Sequence, residues 1–166
     1  MTTKIPVLIP VKEYSERCNK KNYALLPYTA KWLHAQDLAD SAWVITDSTG
    51  LMELAESLNL KAHLENREPG QDELTSCWNF AEQNNIALFY LCPTTQPFRS
   101  RHLLQQMNEL FIKEMESWDF ITTVSAVQER SLYFVERKGK GYGFRHFSKT
   151  RKGSDCSTEY MIDGVL

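Results

Sequence analysis

The sequence has few cysteines and histidines, and it has no long apolar run of the kind that spans a membrane. It contains only four cysteines in 166 residues, widely separated, with no CxxC pair and no histidine at zinc-ligand spacing beside them. We therefore expect reduced, structural thiols, and we assign no chemistry to the four histidines. No signal peptide or spanning helix can be placed in the chain, which predicts a cytoplasmic protein without a membrane partner.

A strong charge of one sign is also missing. The formal net charge is -2, so no overall positive field would gather nucleic acid, and any bound anion must be held by a local basic cluster. The composition, with 42% hydrophobic and 24% charged residues, is typical of a soluble globular domain that can bury a core. A binding site for an anion is therefore expected in a loop.

Apolar, β-branched runs alternate with amphipathic stretches as far as residue 127. This alternation predicts an α/β domain with a mostly parallel sheet, in which ligands bind beyond the carboxyl ends of the strands. Pro27 is expected to start the first helix, and the polar run 47–49 offers capping side chains for the second. The most continuous apolar run, 86–92, is expected at the centre of the sheet. We predict strands at 4–11, 42–46, 60–64, 86–92 and 120–127, and helices at 28–40, 51–60, 72–84 and 102–117.

The loop after the first strand carries a cluster of basic side chains. It contains no glycine, so a phosphate there would be bound by side chains rather than by a backbone cradle. Lysine and arginine supply both charge and hydrogen bonds to phosphate oxygens. Composition leaves two interpretations open, a triphosphate site or a solvated, charged loop. The basic residues are Lys12, Arg17, Lys20 and Lys21, and Glu13 and Glu16 partly offset them.

This loop, IPVKEYSERCNKKN, resembles the first loop of the acylneuraminate cytidylyltransferases (CMP-N-acetylneuraminate synthetases), which has the form IPARxGSKRxPxKN. Lys12 stands where that family has arginine, Glu13 and Tyr14 replace small residues, and Glu16 replaces a lysine. The loop of the related CMP-Kdo synthetases, IPARYxSxRxPxK, is matched less completely. The residues that match the acylneuraminate family in register are Pro10, Ser15, Arg17, Lys21 and Asn22.

Further segments resemble the same family and follow one another in the family's order. Order across most of the chain is harder to obtain by chance than a single loop. The segments are 45–48 (ITDS) for the STDD ending of the second strand, Arg67 with Asp72, Thr75 and Ser76 for RPxxLAxDxASS, 91–99 (LCPTTQPFR) for LQPTSPLR, and 160–166 (YMIDGVL) for YxxNGAIY.

The resemblance implies a Rossmann-like nucleotide-diphospho-sugar transferase fold, with helices on both faces of the sheet. It implies an enzyme that transfers CMP from CTP to a nonulosonic sugar acid such as sialic acid, with release of pyrophosphate and with Mg²⁺ bound. It also implies a homodimer. A catalytically impaired nucleotide-binding or interaction domain of the same fold, and a CMP-Kdo synthetase-like enzyme, are the alternatives.

The resemblance also assigns roles to individual residues. For Arg67 the simpler alternative is a surface charge that binds no ligand. For Arg99 the alternative is a salt bridge to the next helix. Hydroxyls on a helix face and polar turn residues are the simpler interpretations of the others. The triphosphate would be bound by Lys12 and Lys21, supported by Ser15 and Arg17, and the nucleoside by Asn22, Arg67, Thr75 and Ser76. The sugar acid would be bound by Thr94, Thr95 and Gln96, and its carboxylate by Arg99.

A metal site is the part of the family pattern that the sequence does not supply. The given chain ends in a predicted strand, before the place where the family has paired aspartates. Asp47 is more simply a helix cap, and Asp163 aligns with an asparagine of the family. The expectations are, in order, a piece of a longer enzyme, a domain that binds without catalysis, or a metal held by another acid such as Asp47. Glu13 and Glu16 would repel a triphosphate unless they hold a metal.

The pattern changes beyond residue 127, where basic and aromatic side chains are interleaved. Such a mixture is compatible with single-stranded nucleic acid or with a solvated hairpin. The family resemblance implies a third interpretation, an arm that packs on a partner subunit, and we favour the arm. The predicted organisation is a nucleotide-binding α/β domain at 1–127, a basic-aromatic hairpin or dimerisation arm at 128–153, and a return strand of the main domain at 154–166.

Overall fold

A computed structural model describes residues 5–15, 18–114, 122, 124–127, 134–138, 141–144 and 159–162. The predicted roles of Arg17 and Asp163 lie outside the described residues, as does most of the predicted arm. Within the described part of the chain, no helix is long and apolar enough to cross a membrane. The cytoplasmic location stays a prediction.

Four parallel strands form the first sheet. They are β1 (Val7–Val11), β2 (Ala42–Thr46), β3 (Lys61–Leu64) and β4 (Tyr90–Leu91), in the order β3-β2-β1-β4. The pairing of β1 with β2 runs in register from Val7 opposite Ala42 to Val11 opposite Thr46. All five residues of β1 are buried, as expected for a parallel strand covered on both faces.

Helices cover both faces of this sheet. They are α1 (Lys21–Ala35), α2 (Thr49–Ser57), α3 (Glu73–Gln83) and α4 (Leu103–Glu114), with one 3₁₀ turn at Ala39–Ser41. Because side chains alternate along a strand, Val7, Ile9 and Val11 pack with α1, α2 and α4, while Leu8 packs with α3. Burying each such side chain contributes about 1.5–3 kcal/mol. The predicted α/β fold with helices on both faces is confirmed.

The start of α1 differs from the prediction. The helix begins at Lys21 rather than at residue 28, and Pro27 lies inside it although proline has no N–H to donate to the preceding turn. The buried side chains of Asn22 and Leu26, both N-terminal to Pro27, anchor the first turns. Tertiary contacts therefore override the local signal, and Lys21 and Asn22 lie in the first turn of a helix instead of in a loop.

The strand predicted at 86–92 is also different. Only Tyr90–Leu91 pairs with β1, and in the described part of the sheet β4 is at the edge while β1 and β2 are the inner strands. Ile86 and Phe89, which supplied the apolar signal, pack against the α3 side of the core without joining the sheet.

Three helices end without glycine in a Schellman arrangement. Asp37, Asn59 and Asn85 take the left-handed conformation, with φ of 57, 56 and 54 degrees, just after α1, α2 and α3. In each case the next residue donates its N–H to a carbonyl five residues back, as Leu60 does to Ala55 at 3.0 Å. Asparagine and aspartate tolerate this conformation better than other non-glycine residues, which suits a chain with only 7 glycines.

The second sheet is antiparallel. It consists of β5 (Val124–Val127), β6 (Phe134–Lys138), β7 (Gly141–Phe144) and β8 (Glu159–Ile162), in the order β5-β8-β6-β7. The strands β6 and β7 pair as a hairpin in the region predicted as an arm, and β8 pairs with both β5 and β6. The domain boundaries at residues 127 and 153 stay predictions.

Candidate functional site

The order of the parallel strands places a crevice at the carboxyl end of β1. The chain runs outward from β1 to β2 and β3, and then returns to the opposite side of β1 as β4. The connections that leave β1 and β4 therefore diverge, and such a switch point is where open α/β sheets bind ligands. The predicted triphosphate loop follows β1, and the predicted sugar-acid segment follows β4.

One buried side chain ties these two connections together. Asn22, in the first turn of α1, donates from Nδ2 to the backbone carbonyl of Lys12 at 2.7 Å. Its Oδ1 accepts the hydroxyl proton of Thr94, which follows β4, at 2.8 Å. Asn22 and Thr94 are only 3% and 2% exposed, so both polar groups are satisfied inside the protein. This pair fixes the spacing of the two walls of the crevice.

The basic side chains lie on the β1 side of the crevice. Lys12 and Lys20 are exposed and Lys21 is half-buried, while Ser15 is buried. Lys20 precedes α1 in the left-handed conformation, with φ of 54 degrees, and provides no side-chain hydrogen bond to the first turn. That conformation costs about 1–2 kcal/mol for a residue with a Cβ. The cluster therefore stands at a helix N-terminus, where the backbone also favours anions.

Glu13, one of the two acidic residues of the first loop, makes hydrogen bonds to α1 and to the connection after β2. The Tyr23 hydroxyl donates to Oε1 of Glu13 at 3.3 Å and lies 3.1 Å from Oγ of Ser48, and the N–H of Glu13 donates to Asp47 Oδ1 at 3.0 Å. Ser48 is the cap of α2, accepting from Leu51 N–H at 3.4 Å. The expectation that Asp47 is the cap is therefore wrong, because Asp47 instead holds the loop after β1.

An open pocket of about 400 Å³ lies over the ends of β1, β2 and β3. Three carboxylates line it, those of Glu13, Asp47 and Glu65. Among the residues that the structure describes, no three histidine, cysteine or acidic side chains are close enough together to hold a metal ion. Mg²⁺ is commonly bound by one or two carboxylates together with substrate phosphates. Glu13 and Asp47 fit that more limited role, because both face one pocket next to the basic loop.

The segment after β3 forms a compact polar network. Arg67 donates from Nε to Oε1 of Glu65 at 2.9 Å, and its Nη2 contacts the same oxygen. Gln71 Nε2 bridges the other oxygen of Glu65, at 3.0 Å, and Oγ of Ser76, at 2.9 Å. The Arg67 side chain is only 7% exposed, so the alternative that it is a surface charge is wrong. Two residues predicted to bind the nucleoside, Arg67 and Ser76, are thereby joined.

Thr75 occupies a different position from Ser76. It is exposed, and its N–H donates at 2.7 Å to Oδ1 of Asp72, the residue that caps α3. This hydrogen bond holds the pKa of the Asp72 carboxyl below its usual value.

The connection after β4 divides into an exposed part and an anchored part. Thr95 is exposed and Gln96 half-buried, so both are accessible to a ligand. Arg99 contacts the carbonyl of Pro93 through Nη2 and lies with its guanidinium carbon 5.3 Å from the centre of the Trp32 ring. Within the described residues Arg99 is paired with no carboxylate, so the predicted salt bridge to the next helix is not formed there.

The two buried thiols are expected to be unreactive. Burial raises the pKa of Cys77 well above its usual range and that of Cys92 to about 11. Both therefore stay protonated at neutral pH, and Cys18, which is exposed, is also free. The buried positions of Cys77 and Cys92 agree with the structural role expected of the cysteines, whereas Cys18 is exposed.

Several supporting residues were missed by sequence reasoning. Tyr23 and Trp32 join segments that are distant in sequence, whereas Glu65 and Gln71 make contacts within the segment after β3, and no sequence pattern marks any of the four. A correct start for α1 would have placed Tyr23 beside Asn22 on the helix and indicated its role.

The architecture is that of the nucleotide-diphospho-sugar transferase fold. A CMP:2-keto-3-deoxy-manno-octonic acid synthetase, solved in complex with CTP, superposes with a TM-score of 0.76 and 14% identity, covering 98% of this chain and 73% of that one. A cytidylyltransferase from Leptospira borgpetersenii serovar Hardjo-bovis superposes with a TM-score of 0.57 and 16% identity, covering 78% of this chain and 56% of that one. No protein-family model and no curated protein sequence matches the chain.

Proposed function

We propose that this chain is a cytidylyltransferase that transfers CMP from CTP to a 2-keto sugar acid and releases pyrophosphate. The observation that carries the proposal is the Asn22 bridge, which joins the basic loop after β1 to the polar segment after β4 at the switch point. The likeness in fold to a synthetase solved with CTP supports it. The order of the sequence motifs supports it independently.

In the proposed reaction the anomeric hydroxyl oxygen of the sugar acid bonds to the α-phosphorus of CTP, the bond from that phosphorus to the pyrophosphate oxygen breaks, and the hydroxyl proton is released to solvent. The chain contributes positioning and charge. Lys12 and Lys21 neutralise the negative charge that grows on the leaving pyrophosphate, which lowers the barrier. Mg²⁺, carried by the nucleotide and held through Glu13 or Asp47, would add positive charge on the phosphate oxygens.

The nucleoside end is assigned to the segment after β3. Arg67 is held by Glu65, and Gln71 links the same carboxylate to Ser76, so the two predicted nucleoside residues are fixed relative to each other. We assign Thr95 and Gln96 to binding of the sugar acid. Asn22 and Thr94 act by holding the walls of the site, since their polar groups bond each other and the backbone of Lys12.

The sugar acid belongs to a class whose members share a carboxylate next to the anomeric hydroxyl. Asn22 and the Pro93–Thr94–Thr95 run favour a sialic acid, whereas the fold neighbour acts on 2-keto-3-deoxy-manno-octonic acid. Both substrates are therefore included in the test. A homodimer is proposed together with the reaction, and light scattering coupled to size exclusion measures it.

The test is pyrophosphate release from CTP in the presence of Mg²⁺ and either N-acetylneuraminate or 2-keto-3-deoxy-manno-octonate, with the CMP-sugar detected by mass spectrometry. We expect product with one of the two acids, and none when UTP replaces CTP or when the sugar acid is left out. Absence of product with both acids and with related nonulosonic acids would refute the enzymatic proposal.

A non-catalytic nucleotide-binding domain is the second candidate. The observation that favours it is the acidic pocket beside the basic loop, with no set of three metal ligands in the described part of the chain. Calorimetry separates the two: CTP binding without turnover supports the second candidate, and absence of CTP binding excludes both.

A further inference from the structure

Three residues along one side of helix α1 form hydrogen bonds with the connection after β4. Asn22, Thr29 and Trp32 are seven and three residues apart, a spacing that places them along one side of a helix with 3.6 residues per turn. Asn22 accepts from Thr94 at 2.8 Å, Thr29 accepts from Arg99 at 3.5 Å, and Trp32 donates from Nε1 to the carbonyl of Ser100 at 3.2 Å.

Arg99 contacts two of these α1 residues and also the backbone beside Thr94. Its guanidinium lies over the Trp32 ring, donates to the Thr29 hydroxyl and donates to the carbonyl of Pro93, the residue before Thr94. A planar guanidinium can make several directed hydrogen bonds and stack at the same time, which an ammonium cannot. Arg99 therefore fixes the backbone immediately before the hydroxyl that bonds Asn22.

The contacts continue from Arg99 to the basic loop. Pro93 precedes Thr94, the hydroxyl of Thr94 donates to Asn22, and Asn22 donates to the backbone carbonyl of Lys12. Each contact in this series is within the protein and at least partly buried. A displacement of the backbone at Pro93 is thus passed to the backbone of a predicted triphosphate residue.

We propose that Arg99 is a positioning residue for the nucleotide, acting through Thr94 and Asn22 on the loop at Lys12, and that it does not bind the carboxylate of the sugar acid. This inference rests on the proposed function. It replaces the role that sequence resemblance gave to Arg99, because both terminal nitrogens of the guanidinium are already engaged, by Thr29 of α1 and by the carbonyl of Pro93.

The test is calorimetric titration of the full chain with CTP alone, without any sugar acid. Arg99→Met is compared with Arg101→Met, which removes the same charge from an exposed residue of the same connection. We expect the Kd for CTP to rise about tenfold in Arg99→Met, because the loop at Lys12 is no longer held in its binding geometry; this rise corresponds to about 1.4 kcal/mol. Arg101→Met should bind CTP as the unaltered chain does.

Two further variants separate positioning from carboxylate binding. Arg99→Lys keeps the charge but not the planar fork, so it should weaken CTP binding as Arg99→Met does. Trp32→Phe, which loses the donor to Ser100, should weaken it in the same direction, and it carries the test if Arg99→Met does not fold. Thermal unfolding checks the folding of each variant.

The opposite pattern would overturn the inference. If the Arg99 variants bind CTP normally and only the KM for the sugar acid rises, with partial recovery in Arg99→Lys, Arg99 is a carboxylate ligand. If the unaltered chain does not bind CTP at all, the proposed function fails and the inference fails with it. Normal CTP binding by the unaltered chain and by every variant removes the inference alone.

Discussion

The hydroxyl of Thr94 donates to Oδ1 of Asn22 at 2.8 Å, although the two residues are 72 positions apart. Both side chains are almost completely buried, and the other end of the Asn22 amide bonds the carbonyl of Lys12 at 2.7 Å. A single amide thus satisfies polar groups from the connections after β1 and β4. The amide therefore links the two connections that border the crevice.

Replacing Asn22 should therefore lower stability. Asn22→Ala removes the hydrogen-bond partners of the partly buried Lys12 carbonyl and of the buried Thr94 hydroxyl, and an unsatisfied buried group costs about 1–3 kcal/mol. We expect the free energy of unfolding, measured by urea denaturation, to fall by about 2–4 kcal/mol.

Thr94→Val is the matched partner variant. It removes the hydroxyl at nearly constant volume, and the double variant should show a coupling energy of about 0.5–3 kcal/mol. Strictly additive losses would mean that the two side chains do not interact in solution.

The sequence predicted those elements whose signals are local. The β-branched run of β2 was predicted with its observed bounds, and the helix predicted at 72–84 agrees with α3 to within one residue at each end, because such patterns reside in a few neighbouring residues. The start of α1 was wrong, since the burial of Asn22 and Leu26 depends on strands that follow later in the chain.

The site was predicted only as a set of segments. The resemblance placed Arg67 and Ser76 in one nucleoside segment, but the bridge between them consists of Glu65 and Gln71, whose roles depend on side-chain geometry. For the same reason the sequence left Arg99 open between a carboxylate ligand and a salt bridge. Its contact with Trp32 spans 67 residues and has no signal in either segment.

The basic residues of the crevice give a prediction about charge. Lys12→Met and Lys21→Met should each raise the Kd for CTP about tenfold, the loss expected for one charged hydrogen bond to phosphate. Binding of cytidine, which has no phosphates, should change little. Calorimetry with both ligands measures the difference.

Lys31→Met is the control for this charge effect, because Lys31 is an exposed lysine of α1 outside the crevice. It changes the net charge equally and should leave the affinity for CTP unchanged. Equal effects of all three substitutions would indicate a general electrostatic influence without a local phosphate site.

The close approach of Tyr23 to Gly50 gives a prediction with opposite signs in two backgrounds. A Cβ at Gly50 would lie 2.6 Å from the Tyr23 hydroxyl oxygen, so Gly50→Ala must displace the hydroxyl from Ser48 and Glu13. In the Tyr23→Phe background the clash is absent, and alanine in helix α2 should stabilise by about 0.5–1 kcal/mol.

Chemical denaturation of the four proteins measures this effect. We expect Gly50→Ala to lower the unfolding free energy when Tyr23 is present and to raise it when phenylalanine takes its place. The same effect in both backgrounds would contradict the contact between Tyr23 and Gly50.

Asp72 gives a prediction about pH. The N–H of Thr75 donates to its carboxylate and holds the pKa of Asp72 below the ordinary value of 3.8. A carboxyl with a lowered pKa in the folded state stabilises the fold above its unfolded pKa, and this contribution is lost as the pH falls through the folded value.

Asp72→Asn keeps a good helix cap but does not titrate, so it should match the unaltered chain at pH 7. It should then lose less stability than the unaltered chain on acidification from about pH 5 to below the ordinary pKa of a carboxyl. Asp72→Ala, in contrast, should cost about 1 kcal/mol at pH 7, because α3 loses its cap. Urea denaturation at several pH values measures all three proteins, and parallel pH profiles for the aspartate and the asparagine forms would show that the cap does not titrate with folding.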